Sequence, residues 1–131
     1  MATVLVIDDV EHVRLLLRSL LETDGHTVTE AGTGGEALAR MRETQFDLIV
    51  TDVIMPDIDG IAVIKEARDV CPSARIIAIS GGSADLSANL SLKMGEMFGA
   101  DAVLFKPFDN KDFLQSVNRL LSQHPFAWHD A

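Results

Sequence analysis

The chain has 131 residues, a formal net charge of −9 and one cysteine, Cys71. This length fits one domain with its own core, and a lone cysteine excludes an internal disulfide and fits the reducing cytoplasm. The apolar runs are too short to cross a bilayer, and we expect no signal peptide. The acidic balance argues against nucleic acid and anionic membranes as partners and favours a bound cation.

The hydrophobic pattern alternates between strand and helix along the chain. Strands are predicted at residues 4–7, 27–30, 46–51, 75–79 and 102–105. Helices are predicted at residues 10–24, 32–44, 59–70, 86–98 and 109–122. Five strands alternating with five helices indicate an α/β domain, in which a parallel sheet is covered by helices on both faces. We assign residues 1–123 to this domain and 124–131 to a short C-terminal tail.

Polar residues stand at the ends of four of the five predicted strands. Asp8 and Asp9 follow the first strand, Asp52 the third, Ser80 the fourth and Lys106 the fifth. The carboxyl ends of parallel strands meet at one edge of the sheet, where doubly wound proteins bind their ligands. The sequence therefore predicts a functional site at this edge.

The charges at this edge indicate its chemistry. Three carboxylates close together need a counter-charge, and Mg²⁺ binds to one or two carboxylates while keeping water for phosphate. With Lys106 as a second cation, the set suits phosphoryl transfer, and we hypothesise that Asp52 is the nucleophile and that Asp8 and Asp9 organise the metal. Taken alone, the Asp8–Asp9 pair is also typical of a helix N-cap. Ser80 is predicted to donate its hydroxyl to a phosphoryl oxygen.

Residues 3–122 resemble the receiver domain of bacterial two-component response regulators. The resemblance rests on Asp8–Asp9, Asp52 followed by Met55–Pro56 and Gly60, Ser80 after an apolar strand, and Lys106–Pro107–Phe108. It implies a flavodoxin-like (βα)5 fold with sheet order 2-1-3-4-5. It also implies that the chain is a phosphoacceptor rather than a turnover enzyme. Such a domain takes its phosphoryl group from a phosphohistidine on a histidine kinase or a histidine phosphotransfer protein. The phosphorylated domain then binds a downstream protein differently.

The resemblance also implies roles for individual residues. Asp9, the side chain of Asp52 and the main-chain carbonyl of Ile54 would bind Mg²⁺, and Asp8 would help through water. Lys106 would pair with Asp52 or with its phosphate. The first helix would dock the phosphodonor.

The sequence departs from the family in the region that usually transmits the signal. An aromatic residue normally stands three positions before the lysine, but Val103 occupies this position, and Phe105 is predicted to face the other side of the strand. Gly81 and Gly82 follow Ser80, and the segment up to Lys106 is a few residues longer than usual. We therefore hypothesise that a rearrangement after the fourth strand carries the signal, with Ser80, Gly81, Gly82 and Val103 as the switch region.

The sequence also permits other interpretations. We expect a stand-alone receiver, and the alternative in the same class is a receiver excised from a larger response regulator or a hybrid histidine kinase. A phosphatase of the haloacid-dehalogenase type also forms aspartyl phosphate, but it carries a D-x-D motif after its first strand and needs a cap. A flavin or nucleotide binder would have a Gly-rich phosphate loop after the first strand, which this sequence lacks.

Overall fold

The computed structural model describes residues 1–52, 60–80 and 99–122. Its strands are β1 (Thr3–Ile7), β2 (Thr27–Ala31), β3 (Leu48–Asp52), β4 (Arg75–Ser80) and β5 (Ala102–Phe105). Its helices are α1 (Glu11–Thr23), α2 (Gly34–Glu43), α3 (Gly60–Val70) and α4 (Asn110–Ser122). The predicted helix at residues 86–98 and the tail at 124–131 lie outside the described residues.

The five strands form one parallel sheet in the order β2-β1-β3-β4-β5, which confirms the predicted fold class. In the register, Ile7 lies opposite both Ala31 and Thr51, and Asp52 lies opposite Ile79. The last residues of β1 and β3 are therefore almost level, so the side chains that follow them meet at one edge of the sheet.

Each face of the sheet carries its own buried cluster, because neighbouring residues of a strand point to opposite sides. The first cluster joins the sheet to α2 and α3 through Leu5, Ile7, Ala37, Met41, Ile49, Val63, Ile64, Ala67 and Ile76. The second joins it to α1 and α4 through Val4, Val6, Leu17, Leu21, Val50, Ile77, Phe113, Val117 and Leu120. The predicted helices on both faces are confirmed, and the double burial explains why the strands are apolar at nearly every position.

Two of the helices begin with a side-chain cap. The Thr33 hydroxyl accepts a hydrogen bond from the Glu36 N–H at 3.1 Å, and the Glu36 carboxylate accepts one from the Gly32 N–H at 2.8 Å. These two bonds satisfy backbone donors at the start of α2. Asp109 accepts from the Asp112 N–H at 2.9 Å, as expected for the predicted N-cap of α4.

The α1 helix has one buried side and one apolar surface that remains in contact with solvent. Leu17 and Leu21 are buried, whereas Leu15 and Leu16 each keep 51% of their surface exposed. Leu16 continues the helical apolar pattern, but it lies at the rim of the interface with the sheet. No helix among the described residues has the length and apolar character needed to span a bilayer.

The edge strand β5 is tied to the sheet by a polar cluster at its amino end. Asp101 accepts from the Ile76 N–H at 2.8 Å and pairs with Arg68 at 2.6 Å. Arg68 also donates to the carbonyl oxygens of Gly99 and Ala74, each at 2.9 Å. Because β5 has a neighbour on one side only, these contacts help to fix the strand that precedes Lys106.

The prediction that Phe105 faces away from Val103 is wrong. Residues two apart in a strand lie on the same side of the sheet. Val103 packs against the first cluster, whereas Ala102 and Leu104 pack against the second. Phe105 therefore shares the face of Val103, one pleat nearer the carboxyl edge, and the chain does carry an aromatic residue on that face of β5.

His26 holds the amino end of β1 beside β2. Its Nδ1 accepts a hydrogen bond from the Ala2 N–H at 3.1 Å, and its side chain is only 7% exposed. Burial lowers the pKa of His26 below its usual 6.5, and the nearby carboxylates of Asp24 and Asp47 oppose that shift. The accepting Nδ1 requires the neutral ring, since a protonated ring would direct a second N–H at the Ala2 donor.

The lowered pKa of His26 predicts a loss of stability in mild acid. The unfolded chain therefore binds the proton at a higher pH than the folded protein does, so the free energy of unfolding decreases as the pH falls through about 6.5, the usual pKa of histidine. Urea unfolding at several pH values should show this slope reduced in His26→Gln. His12→Gln, which changes an exposed histidine of α1, is the control, and an equal reduction in both variants would contradict the assignment to His26.

Candidate functional site: an acidic cluster at the carboxyl edge of the sheet

Asp8 lies just past the end of β1 and is held at several atoms. It is 1% exposed, and its N–H donates to the Ala31 carbonyl of β2 at 3.2 Å. Its Oδ1 accepts from the Val10 N–H at 2.9 Å. The N-cap residue of α1 is Val10 and it has no side-chain cap, so neither Asp8 nor Asp9 occupies the N-cap position. Asp9 is exposed at the mouth of the site.

Asp52 is the last residue of β3 and is 6% exposed. The buried Thr51 beside it donates its hydroxyl to the Asp52 carbonyl at 2.9 Å. One carboxylate oxygen from each of Asp8, Asp9 and Asp52 lies within 4.8 Å of the other two. The strand ends therefore bring the three predicted carboxylates into one cluster.

Lys106 supplies a positive charge to this cluster. Its Nζ lies 3.5 Å from Asp8 Oδ2 and 3.7 Å from Asp52 Oδ2. The Lys106–Pro107 peptide bond is cis. Phe108, two residues further on, stacks on Phe113 of α4 with ring centroids 5.9 Å apart, which packs this turn against the second cluster.

The cluster fits a hard divalent cation. Three carboxylates face one ammonium group, and Asp8 Oδ2 is buried without a hydrogen-bond partner among the described residues. Buried charge is costly unless it is compensated, and one lysine cannot balance three carboxylates. Carboxylate oxygens at this spacing are the ligands that Mg²⁺ prefers, and the exposed Asp9 leaves one side open to water and phosphate.

Several predicted residues of the site lie outside the described residues. These are Ile54, Gly81 and Gly82, together with the side chain of Ser80. The backbone of Ser80 ends β4 and lies opposite Phe105. Val103 is partly buried against the first cluster, on the face of the sheet covered by α2 and α3.

Sequence reasoning missed an ionic network beside the acidic pair. The Nη1 of Arg14 donates to the main-chain carbonyl of Asp8 at 2.8 Å, and its Nε donates to Glu30 at 3.1 Å. Arg18 also donates to Glu30, at 2.8 Å. The hydrogen bonds from Arg18 and Arg14 lower the pKa of Glu30 despite its partial burial. The available signal was Glu30 itself, since a carboxylate that a helix partly buries against a strand is costly unless it is paired.

The family of the chain is established by comparison with known proteins. Residues 4–118 match the model of the response regulator receiver domain. The chain belongs to this family, whose members generally accept phosphoryl groups and use Mg²⁺.

Individual relatives differ in how much of their length the chain covers. The response regulator receiver protein CpdR of Brucella abortus is 32% identical over 122 residues, which are 92% of this chain and 98% of CpdR. The sensor kinase CckA of the same organism is 36% identical over 93% of this chain, which spans only 13% of that kinase. The crystal structure of response regulator TrrA from Thermotoga maritima, in complex with Mg²⁺-BeF, has a TM-score of 0.77 and 32% identity, covering 92% of this chain and 99% of TrrA.

Proposed function

We propose that Asp52 accepts a phosphoryl group from a phosphohistidine, with Mg²⁺, and that the phosphorylated chain binds a downstream protein differently. One observation carries the proposal: Asp52 ends a buried strand within 4.8 Å of the Asp8 and Asp9 carboxylates and 3.7 Å from the Lys106 ammonium. This environment holds the nucleophile in place and supplies cations for the charge that develops on the phosphoryl oxygens.

The metal would be held by Asp9, Asp52 and the main-chain carbonyl of Ile54, with Asp8 helping through water. Mg²⁺ bound there supplies charge neutralisation for the phosphoryl oxygens. The charge balance supports this assignment, because the Lys106 ammonium, 3.5 Å from the buried Asp8 Oδ2 and 3.7 Å from Asp52 Oδ2, is a single positive charge beside three carboxylates. The Mg²⁺-BeF complex of the similar TrrA structure is consistent with the same use of the site.

The transfer itself needs little covalent chemistry from the chain. An Asp52 carboxylate oxygen attacks phosphorus as the bond from phosphorus to the donor imidazole breaks, and the electron pair of that bond stays on the imidazole nitrogen. Lys106 then pairs with the new phosphate, and Ser80 donates its hydroxyl to a phosphoryl oxygen. The chain acts as a phosphoacceptor and not as a turnover enzyme.

The phosphodonor is a histidine kinase or a histidine phosphotransfer protein, and α1 is its docking surface. Leu15 and Leu16 on α1 are half exposed. Leu16 also lines a groove that leads to Lys106, formed with Val13, Leu17, Pro107, Phe108 and Asn110. An apolar surface beside the acceptor suits a protein partner, whereas the net charge of −9 does not suit nucleic acid or an anionic membrane. A donor of this kind places the chain in the cytoplasm.

Output depends on the switch region formed by Ser80, Gly81, Gly82 and Val103. Val103 packs against the first cluster at the position where the family carries an aromatic residue. No aromatic side chain can therefore change its orientation at that position. Phe105 lies on the same face and is half-buried, which makes it an additional candidate for a side chain that moves when Asp52 is phosphorylated. We assign residues 1–123 to the receiver domain and 124–131 to a tail.

Phosphorylation by a small-molecule donor tests this function. The protein is incubated with acetyl phosphate and Mg²⁺, and its intact mass is measured. We expect one added phosphoryl group, which is absent when a chelator removes the metal. If neither acetyl phosphate nor a phosphorylated histidine donor adds a phosphoryl group, the proposed function is wrong.

A further inference from the structure

We propose that Arg14 is a positioning residue for the metal site, because its guanidinium fixes the peptide group that joins Asp8 to Asp9. This inference rests on the proposed Mg²⁺ function. The Nη1 of Arg14 donates to the Asp8 carbonyl at 2.8 Å, and that carbonyl belongs to the Asp8–Asp9 peptide. The orientation of this peptide sets the direction in which the Asp9 side chain leaves the backbone.

Asp9 needs such support more than Asp8 does. Asp8 is buried, and it is held by its N–H to Ala31 and by its Oδ1 to the Val10 N–H. Asp9 is exposed, and within residues 1–52, 60–80 and 99–122 no hydrogen bond or ion pair holds its carboxylate. Its position therefore depends on its backbone, and Arg14 is the side chain that holds the peptide preceding it.

Arg14 is itself held rigidly enough for this role. Its side chain is 16% exposed, and its Nε donates to Glu30 of β2 at 3.1 Å. The guanidinium passes close over Gly32, where an added Cβ would lie 3.1 Å from Nη1, so the glycine leaves room for it. The planar guanidinium donates in two directions at once, which a single ammonium group cannot match in this geometry.

The electrostatic effect and the positioning effect of Arg14 on a bound cation have opposite signs. Removing a positive charge near the site strengthens the binding of Mg²⁺, because repulsion is lost. Removing a group that orients a metal ligand weakens binding, by about tenfold to 100-fold for outer-shell partners. The direction of the change in affinity therefore separates the two effects.

Arg18 provides a matched control. It lies one turn further along α1 and donates to the same Glu30 carboxylate at 2.8 Å. Among the described residues its hydrogen-bond partners are Glu22 and Glu30, and Asp8 is not one of them. Arg18→Gln removes the same charge and one Glu30 partner while leaving the Asp8–Asp9 peptide untouched. Each variant keeps the other arginine to satisfy Glu30, so both are expected to fold.

The experiment measures Mg²⁺ affinity by calorimetry for the full chain and its Arg14→Gln, Arg14→Lys and Arg18→Gln variants. We expect the dissociation constant to rise about tenfold in Arg14→Gln. It should rise at least as much in Arg14→Lys, which retains the repelling charge but cannot donate in the same two directions. Arg18→Gln should bind Mg²⁺ as tightly as the unmodified chain or more tightly. In the metal-free protein, the Asp9 amide resonance should shift in both Arg14 variants and not in Arg18→Gln.

The outcomes separate this inference from the proposed function. If the unmodified chain does not bind Mg²⁺, the proposed function fails. If it binds Mg²⁺ but both Arg14 variants bind equally well or more tightly, Arg14 acts only through its charge or the fold and the positioning role is wrong. An Asp9 amide shift shared by Arg18→Gln would also overturn it.

Discussion

Replacing Asp52 with asparagine is expected to abolish phosphorylation while leaving the fold intact. Asparagine has nearly the same shape as aspartate, so it can occupy the buried end of β3. Its amide oxygen is a poor nucleophile, and the variant lacks the carboxylate that would form the acyl phosphate. Intact mass after incubation with acetyl phosphate and Mg²⁺ should show no adduct on Asp52→Asn.

The control for this variant is Asp69→Asn, which removes an exposed carboxylate from α3. It should gain one phosphoryl group, as the unmodified chain does. Urea unfolding of Asp52→Asn should remain a single cooperative transition, which shows that the loss of the adduct is chemical. A full phosphoryl adduct on Asp52→Asn would mean that another residue is the acceptor.

Replacing Asp9 with asparagine is expected to weaken Mg²⁺ binding by at least about 100-fold, since even the loss of an outer-shell partner costs 10- to 100-fold. Asp9 contributes one of the three carboxylate oxygens that lie within 4.8 Å of one another. The change removes a full negative charge from a proposed direct ligand, and the amide oxygen replaces it only in part. Titration calorimetry measures the change directly.

Glu11→Gln is the matched control for Asp9→Asn. Glu11 lies two residues further on, in the first turn of α1, and is exposed and outside the acidic cluster. It therefore reports the effect of one lost negative charge without the loss of a ligand. Salt screens that effect strongly at an exposed position, so the loss of Mg²⁺ affinity should be small. Equal losses of Mg²⁺ affinity in the two variants would show that Asp9 attracts the cation only through its negative charge and not as a ligand.

The fold could be predicted because its signals are local or follow from the sheet. Strands buried on both faces are continuous apolar runs, and their alternation with helices requires parallel pairing. The predicted limits of the strands and helices differ from the observed ones by one or two residues. The third strand, for example, extends to Asp52, because the apolar pattern stops one residue before this polar last position. Leu16 shows the limit of periodicity, which marks the apolar side of α1 but not the point where the sheet stops covering it.

The meeting of Asp8, Asp9, Asp52 and Lys106 could also be predicted, because carboxyl ends of parallel strands share one edge. The contacts of Arg14 could not be predicted, because they depend on the angle at which α1 crosses β2. The hydrophobic pattern of the sequence carries no information on this angle. The partner of His26 was missed for a different reason, because Ala2 donates through its backbone and not through a side chain. The Phe105 error came from applying the two-residue alternation with the wrong parity.

The most direct test of the central claim is a crystal structure of the chain with Mg²⁺ and beryllofluoride, a stable mimic of the phosphoryl group. We expect beryllium on an Asp52 carboxylate oxygen and Mg²⁺ at about 2.1 Å from oxygens of Asp9, Asp52 and the Ile54 carbonyl. We also expect that Lys106 Nζ contacts the fluoride. A metal bound away from Asp9 and Asp52, or beryllofluoride on another residue, would contradict the assignment of Asp52 as the phosphoacceptor.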